Sequence, residues 1–367
     1  MRILHIEMGH HLYGGALQAL YLTEGLERRG HESLFICAKG SDVKAELVRR
    51  GLSMTAVTYR READILLVFR IAAVARRFRP DIVHLHSRRG ADFYGALGAK
   101  LGKTPAIVLS RRVDDPVGKG LWTKVRFEWL PDRVVGISQA ICDILIAAGV
   151  DKRKVRCVRS AIDLTCYSDT PKADVREVFG LPSEALVVGV IAQLIERKGH
   201  EYLIRALPDI AKRVPEVRVI MFGQGTRRAE LERLTKEIGV QRSVTFGGFR
   251  QDIADMLPSL DLVAHPALRE GLGVSLMQAA ACGVPVVASA VGGIPEVVRH
   301  EVTGLLLQAG DKKALADAVV KILSDEKLRQ RMRKASREFA LAELGVDAMV
   351  EGNIEVYREI LREKGLA

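Results

Sequence analysis

The chain has 367 residues, 48% hydrophobic and 28% charged, with a formal net charge of +11. That length implies two domains of ordinary size, and that composition excludes a disordered or collagen-like chain. No apolar run reaches the roughly 18 to 20 residues of a membrane span, and the start MRILHIEMGHHLYGG lacks the basic stretch, apolar core and cleavage site of a secretory signal. The five cysteines, Cys37, Cys142, Cys157, Cys166 and Cys282, are scattered with no CxxC pair. They point to free thiols in a reducing cytoplasm rather than to disulfides or a zinc site.

The charge is uneven. Residues 1–165 hold 28 Lys+Arg against 17 Asp+Glu, whereas residues 166–367 hold 28 of each. A basic half implies an anionic partner, such as a membrane face, a phosphorylated substrate or nucleic acid. A merely solvated basic surface is the plain alternative. No RNA- or DNA-binding motif appears, so no nucleic-acid partner is expected.

In chain order, RILHIE (2–7), SLFICA (33–38), DIVHLHS (81–87), AIVLS (106–110) and RVVGIS (133–138) predict buried strands. Helical stretches lie between them, including 16–30 and 63–78. Near-continuous apolar strands alternating with helices indicate a parallel sheet covered on both faces. The stretch 162–185 is polar, contains Pro171 and Pro182, and reads as a linker. The cycle then restarts with strands at 186–193, 217–223, 243–248, 261–267, 285–289 and 304–308, and helices at 200–214, 227–239 and 274–283. The last segment, 346–365, places Val346, Met349, Val350, Ile354, Tyr357 and Leu361 on one helical stripe. The expected architecture is α/β, with two doubly wound domains. These are an N-terminal domain at 1–165, a C-terminal domain at 166–345 and a helix at 346–367 packing back across them. Two such domains facing each other would share one ligand cleft at the carboxyl ends of their strands.

Four strand-to-helix turns carry candidate chemistry. In MGHHLYGGALQAL (8–20), Gly14 and Gly15 let the backbone approach a ligand at a helix N-terminus, although the spacing does not fit GxGxxG. In AQLIERKGHEYL (192–203), Lys198 stands beside a helix start, which suits a phosphate. MFGQGTRRAEL (221–231) repeats the device with Gly223 and Gly225. HPALREGLGVSLMQA (265–279) sets Glu270 before Gly271, Leu272, Gly273 and Val274, whose amides can hold a diphosphate while the acid accepts from hydroxyls. A carboxylate capping the following helix is the bland reading of Glu270. An acid beside anion holes fits a ligand carrying both hydroxyls and phosphates, as a sugar nucleotide does.

Together these residues resemble the family 4 retaining glycosyltransferases of the GT-B fold, with two facing Rossmann-like domains. The resemblance covers nearly the whole chain and is strongest over HPALREGLGVSLMQAAACGVPVVASAVGGIPEVV (265–298). It implies that Glu270 holds the transferred sugar and Lys198 the leaving diphosphate, the two catalytic positions. It implies donor contacts from Gly14, Gly15, Gln193, Gly223, Gly225, Phe249, Arg250, the 271–274 amides and Gln278. It departs from the family at Gln193, where the pattern has Arg, and at Gln278, where it has a second Glu. Arg112 stands where the pattern often has His, and Arg111 or Arg112 is expected to compensate for the lost cation. His84 and His86 are candidates for positioning the acceptor, with a structural role as the alternative. The implied reaction is retaining transfer from a UDP- or GDP-sugar to a cell-surface glycan, lipopolysaccharide or lipid-linked acceptor. The donor is a substrate, and no cofactor or metal is expected. The basic, apolar-rich stretches 63–80 and 117–131 suit an inner membrane face. A non-catalytic nucleotide-sugar-binding protein and a sugar-nucleotide epimerase are the alternatives.

Overall fold

The computed structural model describes residues 1–60, 64–86 and 91–366. Ala63 and Ser87, at the edges of two expected elements, lie outside the described residues. The chain divides into unit 1, Met1–Ala161 with Val346–Ala367, and unit 2, Ile162–Gly345.

Unit 1 is built on seven parallel strands: β1 (Arg2–Glu7), β2 (Glu32–Ala38), β3 (Met54–Val57), β4 (Ile82–Leu85), β5 (Ala106–Arg111), β6 (Arg133–Gly136) and β7 (Val155–Cys157). Their order is β3-β2-β1-β4-β5-β6-β7. The centre of β1, together with β4 and β5, is buried along its length, as a sheet covered on both faces requires. The order reverses between β1 and β4, and in doubly wound sheets ligands bind outside the carboxyl ends of the strands at such a point. His5, His84 and His86 converge there.

Unit 2 has six parallel strands: β8 (Leu186–Ile191), β9 (Val217–Phe222), β10 (Val244–Gly248), β11 (Leu262–His265), β12 (Val286–Ser289) and β13 (Gly304–Leu307). Their order is β10-β9-β8-β11-β12-β13. Here the reversal falls between β8 and β11. The loop after β8 carries Lys198 and the loop after β11 carries Glu270, so the two meet at the switch point.

The expected linker at 162–185 is corrected by the structure: it is part of unit 2. Val175 is fully buried there, and the Arg176 guanidinium donates to Asp261 and to the carbonyls of Ala185 and Ser259. Buried donors of this kind need partners, and a polar sequence supplies them without an apolar period. The chain passes between units at 161/162 and again at 345/346. β3 and β7, absent from the sequence reading, are short edge strands with partly exposed faces.

The last helix, Val346–Glu363, belongs to unit 1. It buries Met349, Val350, Ile354, Tyr357 and Leu361 against the helix Gly14–Glu27 and the sheet. Gly25 is required at that seam, since a Cβ there would sit 2.3 Å from Val350 Cγ2. Arg29 pairs with Asp347 (2.8 Å) and Glu351 (2.6 Å) at the rim, although such exposed pairs contribute little singly. Gly25→Ala is expected to destabilise unit 1 by about 1–3 kcal/mol through overpacking. Urea denaturation checks this, and an unchanged midpoint would refute the tight seam.

Candidate functional site

In unit 2, Glu270 is the centre of a compact charged group. Its Oε2 accepts from Lys198 Nζ (2.5 Å) and His265 Nε2 (2.9 Å), and its Oε1 accepts from the Gly271 amide (3.0 Å). The side chains of Lys198 and Glu270 are 11% and 12% exposed, and that of His265 is 1% exposed. Burial alone would raise the Glu270 pKa. The hydrogen bond from His265 and the Lys198 charge outweigh it and hold the carboxyl near 2. Burial also lowers His265, so its imidazole is neutral at pH 7 and donates through Nε2.

The backbone holds this group tightly. A Cβ on Gly292 would lie 1.7 Å from the Glu270 carbonyl oxygen, so only glycine lets the two loops meet. The helix after Glu270 begins at Val274, and its N-cap is Gly273 at φ 93°. Gly273 supplies no side-chain cap, and Glu270 bonds the Gly271 amide rather than the helix. The capping reading of Glu270 is therefore not met. The Gly271 amide, expected to face a diphosphate, is taken by the acid itself.

The other donor-side positions surround this centre. Leu272 is buried. Gln278 lies inside the helix Val274–Ala281, where its Nε2 donates to Tyr167 Oη (2.8 Å). Gln193 is exposed after β8. Gly223 and Gly225 sit against the Ala192 and Leu194 carbonyls, where a Cβ would clash at 2.1 and 2.2 Å. Phe249 is 64% exposed. Arg250 is bound to Asp252 through two hydrogen bonds of 2.8 and 2.6 Å. His265 was not singled out from the sequence. Its signal was a polar residue at the carboxyl end of an apolar strand, five residues before Glu270.

In unit 1, Gly14 and Gly15 open the helix Gly14–Glu27, as the sequence implies. Arg111 and Arg112 follow at the end of β5. Arg111 is buried, donates to the Asp115 carbonyl (2.5 Å) and lies over the Phe127 ring. His84 and His86 fit the structural alternative rather than acceptor positioning. His84 is fully buried, with Nδ1 on Tyr357 Oη (2.6 Å) and Nε2 on Ser110 Oγ (2.8 Å). His86 is buried too, with Nε2 on His5 Nδ1 (3.0 Å) and Nδ1 on Arg112 Nη2 (3.1 Å). With both ring nitrogens engaged inside the protein, neither histidine is arranged to touch an acceptor.

The hydrogen bonds order the tautomers. A guanidinium only donates, so His86 Nδ1 bears the lone pair and its proton sits on Nε2. His5 Nδ1 must then accept, leaving His5 protonated on Nε2, which has no partner among the described residues. Burial lowers His5 to about 3 and pushes His84 and His86 well below the ordinary histidine range. The three rings bring nitrogens within 4.8 Å of one another, a spacing a metal ion would accept. The sequence reading saw no such cluster and missed His5. Five of the six ring nitrogens are hydrogen-bonded within the protein, so the cluster reads as polar core rather than as a ligand set.

Comparisons with known proteins agree with this layout. The family description "Glycosyltransferase Family 4" matches residues 13–166, and "Glycosyl transferases group 1" matches residues 171–339. The chain is 25% identical over 363 residues to the N-acetyl-alpha-D-glucosaminyl L-malate synthase of Bacillus anthracis, covering 95% of each chain. It is 26% identical to the lipopolysaccharide core biosynthesis glycosyltransferase LpsD of Rhizobium meliloti, covering 97% of this chain and 98% of that one. Among solved structures, Anabaena Alr3699/HepE in complex with UDP superposes with a TM-score of 0.85 at 24% identity, covering 98% of this chain and all of that one.

The Glu270 pKa sets a pH expectation. A carboxyl held near 2 in the fold and near 4.5 when unfolded adds stability that is fully present above pH 4.5 and lost as pH falls towards 2. Wild-type protein should lose about 2 kcal/mol more than Glu270→Gln across that window. Urea titrations at pH 6, 4 and 3 test this, and equal losses in both proteins would contradict the charged arrangement.

Proposed function

The chain belongs to glycosyltransferase family 4, and from that premise we propose that it moves the sugar of a nucleoside-diphosphate sugar, with retention, onto a glycan, lipopolysaccharide or lipid-linked acceptor. The enzyme is a glycosyltransferase of the GT-B fold. The observation that carries the finer reading is the Glu270–Lys198–His265 group at the unit 2 switch point, a charged acid and ammonium held 2.5 Å apart. UDP is favoured as the donor nucleotide, because the matched HepE structure holds UDP.

In this reading Glu270 accepts from the donor sugar's hydroxyls, and His265 keeps it oriented and charged. The bond from the sugar's anomeric carbon to the phosphate oxygen breaks as a bond to the acceptor oxygen forms on the same face. The acceptor's proton passes to the departing phosphate oxygen, and the diphosphate leaves with its charge met by Lys198 and the helix amides after Gly271. Phe249 and Arg250 flank the base, and Gln278, steadied by Tyr167, serves the ribose through an amide instead of a charge. Gln193 stands near the phosphates, and Gly223 and Gly225 leave them room. No cofactor enters the reaction so written.

The acceptor falls to unit 1, with Arg112 at its switch point and Gly14 and Gly15 approaching both the acceptor and the donor phosphate. Unit 1 also carries an exposed apolar and basic surface, which supports a peripheral place on the cytoplasmic face of a membrane. Leu121, Trp122 and Trp129 are 67%, 59% and 54% exposed beside Lys119 and Lys124, and Trp122 packs on Phe93 at 4.9 Å. Ile65, Leu66 and Phe69 are exposed on the helix Leu66–Phe78 and its approach, which ends in Arg76 and Arg77. Aromatic and basic groups in this mixture suit an anionic lipid interface.

UDP is expected to raise the melting temperature selectively over GDP, ADP and CDP. Glu270→Gln and Lys198→Ala are expected to lower transfer by on the order of 100-fold. No shift with any nucleotide would remove the donor assignment. In sedimentation with phosphatidylglycerol-containing vesicles, wild-type protein should pellet and the Trp122→Ala/Trp129→Ala variant should pellet far less. Equal pelleting would rule out that surface.

A further inference from the structure

We propose that the unit 1 switch point is a receptor for an anionic group on the acceptor, a carboxylate or phosphate, with Arg112 as its cation and the histidines and Tyr357 as its scaffold. This rests on the glycosyl-transfer reading above and narrows its acceptor class.

Arg112 leaves β5 and lies against the first turn of the helix Gly14–Glu27, its Cδ 3.4 Å from where a Gly15 Cβ would stand. That turn has no acid, and its N-cap, Tyr13, makes no side-chain capping bond. The Arg112 side chain therefore passes beside a helix N-terminus whose amides carry the same sign of charge as its guanidinium. The Arg112 Nε is buried without a hydrogen-bond partner among the described residues. A buried guanidinium donor left unmet is costly, and native proteins rarely keep one without a reason.

The anchor of Arg112 is the telling feature. Its Nη2 donates to His86, a neutral imidazole, at 3.1 Å. A carboxylate in that position would fix the geometry equally well but cancel the charge. A neutral ring fixes the guanidinium and leaves its charge available. Glu7 favours the Arg112 charge, and its Oε1 accepts from the Gly9 amide at 2.7 Å. The ring cannot switch to a cation here, because burial and the neighbouring histidines and arginine oppose it.

The scaffold reaches the last helix. His86 packs on His84 with ring centroids 4.1 Å apart. His84 is locked by Ser110 on one nitrogen and by Tyr357 on the other. Tyr357 is fully buried. It touches no substrate and is a positioning residue: its hydroxyl sets the plane of His84, which sets His86, which aims Arg112.

The test uses the full chain and two probe anions, inorganic phosphate and L-malate, with binding read by calorimetry. The proteins are wild type, Arg112→Ala, Arg112→Lys, Tyr357→Phe and, as a control on the same helix, Glu359→Gln. Wild type is expected to bind a probe both alone and with saturating UDP. Arg112→Ala should weaken the probe by tenfold or more, and Tyr357→Phe by roughly three- to tenfold, as expected for losing a buried hydrogen bond. Glu359→Gln should bind as wild type does, and UDP stabilisation should be equal in all five proteins. Probe binding that survives Arg112→Ala, or that is absent from wild type, overturns the receptor. Loss of UDP stabilisation in Arg112→Ala, or competition between probe and UDP, assigns the anion to the donor's diphosphate and overturns it as an acceptor site. Unchanged probe affinity in Tyr357→Phe overturns the scaffold. If UDP fails to stabilise wild type while the probe binds, the donor reading falls and the anion receptor stands.

Discussion

A carboxylate that is almost out of water stays ionised only when donors replace its hydration, and unit 2 is arranged around meeting that demand for Glu270. Lys198 and His265 share one oxygen and the Gly271 amide takes the other. Each donor arrives from a different element: the loop after β8, the last residue of β11, and the turn into the helix Val274–Ala281. None can be moved without unpairing a buried charge. The glycines that let these loops touch are there for the same reason, because a side chain on Gly292 would push the Glu270 backbone away from its donors. A ligand hydroxyl arriving at Glu270 would exchange one donor for another, so the acid could accept it without first being stripped of solvent.

The two units place their chemistry by one topological rule and balance it in opposite ways. Both gather polar residues where strand order reverses, at β1/β4 and at β8/β11. Unit 2 pairs an acid with an ammonium, so its net local charge is small and its geometry is held by strong, charge-assisted bonds. Unit 1 anchors a guanidinium on a neutral imidazole, which holds its geometry without cancelling its charge, while the Glu7 carboxylate favours that charge. A paired centre suits a donor whose hydroxyls and diphosphate need both signs. An unpaired cation suits a partner that brings the missing charge.

Much of the fold was legible in the sequence, because a strand buried on both faces must be apolar nearly throughout. β1, β2, β4, β5, β6 and the central strands of unit 2 announce themselves that way. β3 and β7 do not, being short edge strands with half-wet faces. The stretch 162–185 read as a linker because Arg176 and its partners stabilise it through polar bonds, which leave no apolar period. Of the site, Glu270 and Lys198 were legible as a charged pair of residues on glycine-rich turns. Their meeting was not, because strand order is a long-range property. His5 and His265 were missed for a related reason: a lone histidine in an apolar run looks structural until the neighbouring strands bring its partners. His84 and His86 were seen with two readings open, and their burial favours the structural one over acceptor positioning.

The last helix ties these arguments together. Its stripe of Met349, Val350, Ile354, Tyr357 and Leu361 was plain in the sequence, but nothing local says which surface it covers. In the fold it closes unit 1, and its acids are spent on that unit's cations, Glu359 bonding Arg133 and Arg156 and Asp347 bonding Arg29. Unit 1 nevertheless keeps 31 Lys+Arg against 21 Asp+Glu, so the basic excess survives the return of the chain. Tyr357 does what no surface pair can. Without it, His84 Nδ1 would be a buried polar atom with no partner, and the ring on which His86 rests would be free to turn. The histidine array, and with it the aim of Arg112, is therefore complete only when the final helix has docked. The unit that begins the chain depends on the residues that end it.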